Sequence, residues 1–152
     1  MPPIATPDRA PQRVRHALRF RLLTVCAREQ LTPSMLRITL AGDDLQGFAS
    51  PGFDDHVKLM FPDPASGRIN LPTLGPDGPV WSGARPVMRD FTPRHYNATD
   101  GTLTIDFALH EAGPAAAWAR SAQPGSVLGV GGPRGSLLVP MTFDGYLLVG
   151  DD

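Results

Sequence analysis

The sequence predicts a mainly β fold, a six-stranded antiparallel Greek-key β-barrel carrying one short helix. Three observations lead there. Among 152 residues, 17 are Pro and 16 are Gly, which interrupt helices and force frequent turns, so a helical bundle or coiled coil is excluded. Short apolar runs recur at the two-residue period of half-buried strands. Only one alanine-rich stretch reads as a helix, and it comes late in the chain. With 41% hydrophobic and 19% charged residues, a chain of this length can bury one real core.

Residues 1–19 read as a flexible basic arm, with Arg9, Arg13, Arg15 and Arg19 against a lone Asp8 and Pro2, Pro3, Pro7 and Pro11 interspersed. The barrel is expected over 20–143. Its first strand is the apolar run 20–27, in which Cys26 reads as a buried thiol. Leu36, Ile38 and Leu40 alternate with Arg37 and Thr39 in a second strand that should pair with the first, after a turn at 32–34. A polar loop at 42–52 leads to the strand 56–61, with Val57, Leu59 and Phe61 on one face and His56, Lys58 and Met60 on the other.

Residues 62–86 are too rich in Pro and Gly for a long element and read as an excursion from the sheet. Strands resume at 87–92 and 102–110; in the latter Leu103, Ile105, Phe107 and Leu109 alternate with Thr104, Asp106, Ala108 and His110. The helix follows at 113–122, opened by Gly113-Pro114 and closed by Pro124-Gly125. Two short strands, 127–130 and 137–139, flank a turn at 131–135. The continuous apolar run Tyr146-Leu147-Leu148-Val149 reads instead as a strand buried on both faces, so 144–152 is expected to begin a second, truncated domain.

The formal charge is -1, from 14 basic and 15 acidic residues, so no whole-molecule field draws this chain to nucleic acid or anionic lipid. An anion site must be local. Thirteen of the cations are Arg, which singles out Lys58. No run is long and apolar enough for a membrane span and no signal-peptide core opens the chain, so a cytoplasmic protein is expected. His16, His56, His95 and His110 are too scattered for a metal motif. Nucleophile-elbow, P-loop and dinucleotide fingerprints do not occur.

Two features point to a ligand. A helix that begins Gly113-Pro114-Ala115 presents backbone N–H groups and the positive end of its dipole to an anion. Arg89 and Arg94 flank Phe91 and Thr92, so guanidinium groups could hold phosphates while the ring stacks on a flat heterocycle. On residue types alone, surface arginines beside a core phenylalanine account for the second pattern equally well.

The ordered segments Asp55-His56-Val57-Lys58-Leu59-Met60-Phe61-Pro62, Arg89-Asp90-Phe91-Thr92-Pro93-Arg94, Asp106-Phe107-Ala108-Leu109-His110, Gly113-Pro114-Ala115 through Trp118-Ala119, Pro124-Gly125 and Gly132-Pro133-Arg134-Gly135-Ser136 resemble the FAD-binding half of the siderophore-interacting protein family, ferric-siderophore reductases related to ferredoxin reductases. The resemblance spans roughly residues 20–152, and the end of the chain resembles the entry strand of that family's NAD(P)H domain. It implies that Arg89 contacts FAD phosphate, Phe91 stacks on the flavin, and Thr92, the one catalytic assignment, hydrogen-bonds near the reactive N5. Leu109 and His110 would run beside the isoalloxazine, and Gly113, Pro114, Ala115 and Ala116 would receive the pyrophosphate. Lys58 and Arg134 would form a basic rim for an anionic ferric siderophore.

Three departures bear on affinity: Phe91 stands where Tyr is frequent, Ala116 where Ser or Thr is, and Ser126 where Asp is. The function implied is a monomeric flavin-dependent oxidoreductase passing electrons from NAD(P)H through FAD to a ferric siderophore and releasing Fe(II). Two alternatives stand beside it: a non-catalytic flavin- or siderophore-binding fragment, and a general ferredoxin-reductase-like electron-transfer domain.

Overall fold

The alternations of the sequence become strand register in the computed structural model, which describes residue 1, residues 8–110 and residues 112–150. A long hairpin starts the barrel: β2 (Phe20–Thr32) pairs with β3 (Met35–Ala41), following β1 (Gln12–Arg15). After β4 (Val57–Phe61) the excursion carries a small hairpin of β5 (Thr73–Gly75) and β6 (Gly78–Val80). Then come β7 (Val87–Phe91), β8 (His95–Asn97), β9 (Thr102–Ala108), α1 (Pro114–Ser121), β10 (Val127–Gly131) and β11 (Gly135–Leu138). Among the described residues no helix is long and apolar enough to cross a membrane.

Seven strands make one antiparallel sheet in the order β7-β4-β10-β2-β3-β9-β8. Its two edges, β7 and β8, are consecutive in the chain and separated only by Thr92-Pro93-Arg94. Four residue steps from Phe91 to His95 cover at most about 14 Å, so the two edges are held close at that end and the sheet must curl into a half-barrel. The expected six strands become seven because the closing strand is broken at Pro93, which lacks a ladder N–H. Inside, Leu23, Leu36, Leu40, Leu59, Ile105 and Leu128 are fully buried, as the period-two patterns require.

Four expectations change. Of the arm expected over 1–19, residues 2–7 lie outside the described residues and 12–15 form a strand: β1 pairs with β11, Val14 facing Ser136, and the 137–139 strand is thereby drawn out of the barrel sheet. A polar chain fastens this pair. His16 Nε2 lies 2.8 Å from Ser136 Oγ, which donates at 2.7 Å to the buried carboxylate of Asp55. Asp55 Oδ2 also accepts from Ser50 Oγ and the Gly52 N–H.

Cys26 is exposed rather than buried. Val25 faces Leu40 and Ala27 faces Thr39, so Cys26 is the extra residue of a β-bulge and falls out of the alternation. Met60, expected outside with Lys58, is 1% exposed because the excursion folds back over this wall. Gly129 faces Met60, and a Cβ there would come within 2.5 Å of Leu71 and 2.9 Å of Ile69, so the covering depends on glycine. Finally, Leu147, Leu148 and Val149 form no strand and are 89%, 80% and 88% exposed. A parallel strand buried on both faces needs neighbours that the described residues do not supply.

Candidate functional site

The site is built on β7. Its register sets Val87 opposite Phe61, Arg89 opposite Leu59 and Phe91 opposite Val57, so these three side chains leave the sheet on the core-facing side. Consecutive members are about 7 Å apart. Phe91 packs against the core while keeping part of its surface open.

An aromatic chain locks α1 beside this row. Phe91 and Phe107 rings are 4.7 Å apart, Phe107 and Trp118 are 5.7 Å apart, and Trp118 reaches Phe61 at 5.8 Å. Between α1 and the end of β4 lies a groove of about 580 Å³, with Phe61, Pro62, Val87, Pro114, Trp118 and Ser121 in its walls. A second hollow of about 570 Å³ shares Phe61, Pro62 and Val87 and extends to Arg68 and Arg85.

Helix α1 opens toward the row without a capping side chain at Gly113. Its first internal bond runs from the Ala117 N–H to the Gly113 carbonyl at 2.9 Å, so the Ala115 and Ala116 N–H groups lie outside the helical ladder. The approach to the helix is held from both sides. The Leu109 N–H donates to the Ser34 carbonyl at 2.8 Å, and the Arg120 guanidinium reaches back to the Leu109 carbonyl.

The two arginines expected to flank Phe91 part company. Arg89 is on the core-facing side, where Nη1 donates to the Met88 carbonyl at 2.7 Å. Arg94 turns toward Asp106, whose neighbours Ile105 and Phe107 are buried, so Asp106 is on the outer face. The Arg94 Nε stands 3.8 Å from Asp106 Oδ2, while Arg37 grips the same carboxylate through two bonds of 2.8 Å. That grip raises the Arg37 pKa above its ordinary value.

On the outer face of the β4–β7 ladder, Lys58 sits opposite Asp90 and its Nζ is 2.7 Å from Asp90 Oδ1. The bond from Lys58, with the nearby Lys58 and His56 charges, holds the Asp90 carboxyl below the usual carboxylate range. Lys58 also faces Gly131 on β10, and the next turn carries Arg134, exposed. Arg21, 3% exposed, braces that turn: Nη1 donates to the Gly132 carbonyl at 3.3 Å and Nε to the Asp44 carbonyl at 2.8 Å. Its burial lowers its pKa from the ordinary arginine value. Thr92 and His110 are both exposed beside these elements.

Sequence reasoning passed over Arg120, Ser34, Asp90, Val87 and Phe61. The first two act through the backbone at Leu109, which no motif marks. Asp90 could have been found, since the one lysine invites a search for its carboxylate. Together the residues suit an elongated ligand: a flat ring at Phe91, anionic groups between Arg89 and the start of α1, and an apolar end in the groove at Val87 and Trp118.

Comparison with known proteins gives one family, described as the siderophore-interacting FAD-binding domain, matched over residues 24–137. The chain is 49% identical over 145 residues to an NADPH-dependent ferric-chelate reductase of Escherichia coli (strain K12), covering 95% of this chain and 56% of that one. It is 39% identical over 132 residues to the ferric vibriobactin reductase ViuB of Vibrio cholerae, covering 86% and 49%. A siderophore utilization protein from T. fusca superposes with a TM-score of 0.79 at 41% identity, over 86% of this chain and 51% of that one. The chain thus spans about half the length of the curated relatives it matches.

Proposed function

The chain belongs to the siderophore-interacting FAD-binding domain family, and from that premise we propose that it is the flavin-holding part of a ferric-siderophore reductase. The observation that carries this reading is the row Val87, Arg89, Phe91 on one face of β7, running between the α1 groove and the broken strand at Pro93. The residues present fit FAD. Phe91 has open ring surface, Arg89 is exposed, and two helix N–H groups have no acceptor within the helix.

Bound there, FAD supplies the exchange between hydride from NAD(P)H and single electrons delivered to ferric iron, whose oxygen ligands hold the reduced ion far less tightly. Phe91 provides the stacking surface for the isoalloxazine. Arg89 and the Ala115 and Ala116 amides neutralise the pyrophosphate. Leu109, fixed by Ser34 and Arg120, would border the flavin ring, with His110 next to it, and Thr92 would offer its hydroxyl near N5. Gly113 and Pro114 admit the phosphates closely and start the helix. Arg94, drawn toward Asp106, contributes positive potential from the other face of the strand. The groove lined by Val87 and Trp118 would take the adenosine end. Lys58 and Arg134 meet the ferric siderophore.

In this reading the donor is NAD(P)H bound by a further domain entered through 144–152, and the protein works as a cytoplasmic monomer. The facts that support the donor and the further domain are the reductase relatives and the uncovered apolar run at 147–149. The test is spectroscopic. The chain titrated with FAD should develop the absorbance of bound flavin, and after anaerobic photoreduction that flavin should reoxidise on adding a ferric siderophore. A chain that stays colourless in excess FAD refutes the flavin assignment. Bound flavin that ferric chelates never reoxidise refutes the reductase and leaves a binding module.

A further inference from the structure

The two cations of the rim, Lys58 and Arg134, lie on separate segments, and a buried hydrogen bond joins those segments. Lys58 stands three residues after Asp55, and Arg134 two residues before Ser136. Ser136 Oγ donates to Asp55 Oδ2 at 2.7 Å, and both residues are buried. At strand rise the bond is within about 10 Å of Lys58 and about 7 Å of Arg134 along the chain.

Both ends of this bond are fixed. Ser50 Oγ and the Gly52 N–H each donate to the same Asp55 Oδ2 at 3.0 Å, so the loop before β4 holds the carboxylate in place. The serine hydrogen goes to Asp55, so Ser136 Oγ accepts from His16 Nε2 at 2.8 Å. The His16 N–H donates to the Arg134 carbonyl at 2.9 Å, so this one residue grips the turn on both sides of Gly135. The turn also lies against the entry to β4: a Cβ on Gly132 would stand 3.3 Å from the Arg134 backbone nitrogen and 3.8 Å from the His56 carbonyl oxygen. Asp55 and Ser136 are too deeply buried to meet a ligand, whereas Lys58 and Arg134 are exposed.

We propose that Ser136, anchored on Asp55, is a positioning residue of the substrate rim: it holds the Arg134 turn against the β4 entry, so that Arg134 and Lys58 present a preset pair of charges to one anionic ferric chelate. This rests on the ferric-chelate reading above. A chelate that meets a fixed pair does not have to order the turn as it binds, and its attraction to each cation depends on distance. Loosening the turn therefore weakens an anionic chelate and leaves a neutral one nearly untouched.

The experiment titrates the FAD-loaded chain with the redox-inert gallium(III) complexes of a trianionic tris-catecholate and of a neutral tris-hydroxamate. Ser136→Ala should raise the dissociation constant of the trianionic complex about fivefold, and Ser136→Thr, which keeps the hydroxyl, should restore it to within about twofold. Binding of the neutral complex and of FAD should each change by less than about twofold. In an Arg134→Ala background Ser136→Ala should add no further loss, because the serine acts through that arginine. His16→Ala, at the outer end of the chain of bonds, should give a smaller loss of the same kind, and it decides the question if Ser136→Ala does not fold. Equal weakening of both complexes, loss of FAD affinity in Ser136→Ala, or a loss that multiplies with that of Arg134→Ala would overturn the proposal. If Arg134→Ala and Lys58→Ala weaken the trianionic complex while Ser136→Ala and His16→Ala do not, the proposal alone fails. If none of the four does, the rim reading fails and the proposal falls with it.

Discussion

Arg120, in the last turn of α1, reaches back along the helix and donates to the carbonyl of Leu109, the residue that leads the chain from β9 toward that same helix. The contact closes a small ring of structure: strand end, connecting loop and helix are tied into one unit. The Leu109 N–H is held by Ser34, so both polar groups of this residue's backbone are committed.

Arg120→Ala should therefore weaken FAD binding without removing any group that touches it. The lost bond is solvent-accessible and water replaces it in part, so the expected cost is about 1 kcal/mol in affinity, with the urea midpoint little changed. Arg120→Lys should recover part of the affinity. A fluorescence titration of FAD quenching measures this, and equal affinity in all three proteins would show that Leu109 is set by Ser34 alone.

Arg89→Ala removes the cation on the row itself. A charge-assisted phosphate contact contributes about 1.5 to 3 kcal/mol, so the FAD dissociation constant should rise by about tenfold or more. Arg94→Ala should cost less, because its guanidinium is turned toward Asp106 on the other face. Equal losses in the two variants would contradict that division of labour.

The Lys58–Asp90 pair gives a pH signature with a definite sign. Bonding to Lys58 lowers the Asp90 pKa in the folded state, so the pair's contribution is fully present above the unfolded carboxylate value and is lost as pH falls through the depressed folded one. The stability difference between the unmodified protein and Lys58→Met should accordingly be small at neutral pH, begin to shrink below the ordinary carboxylate value of about 3.9, and vanish below the depressed folded value. Carboxyl chemical shifts followed through an NMR pH titration should show the Asp90 midpoint moving upward in Lys58→Met. A midpoint that does not move would show that the ion pair is absent in solution.

Ser136→Ala tests the fastening of β1. Asp55 is 3% exposed and its Oδ1 has no hydrogen-bond partner, so its Oδ2 depends on Ser50, Gly52 and Ser136. Removing one of these donors from a buried carboxylate should cost about 1 to 3 kcal/mol in urea unfolding. The same change should increase hydrogen exchange in β1 before it does so in the barrel strands.

The barrel was legible because its inner face is written at a strict period: Leu103, Ile105 and Phe107 are all buried, and Leu36, Ile38 and Leu40 across the ladder match them. The helix was legible from Gly113-Pro114 and its alanines. What local pattern could not give were long-range effects. β1 is polar along most of its length and becomes a strand only because β11 offers an edge. Met60 is buried by an excursion whose path no alternation encodes, and Cys26 escapes burial through a bulge invisible in composition. At the site, Phe91 and the α1 start were marked by residue type. The opposite facing of Arg89 and Arg94 was not, because Pro93 between them interrupts the alternation that would have predicted it.

The break at Pro93 has a further meaning. A curled sheet whose edge strands join through Thr92 and Pro93, before the Arg94 N–H takes up the Thr104 carbonyl at 2.9 Å, has a seam, and a cofactor lying along one side of it would act as a clasp. Opening of the seam and release of the flavin would then be one event: amides of β7 and β8 should exchange together, at a rate set by free flavin concentration, and a drained protein should unzip there first.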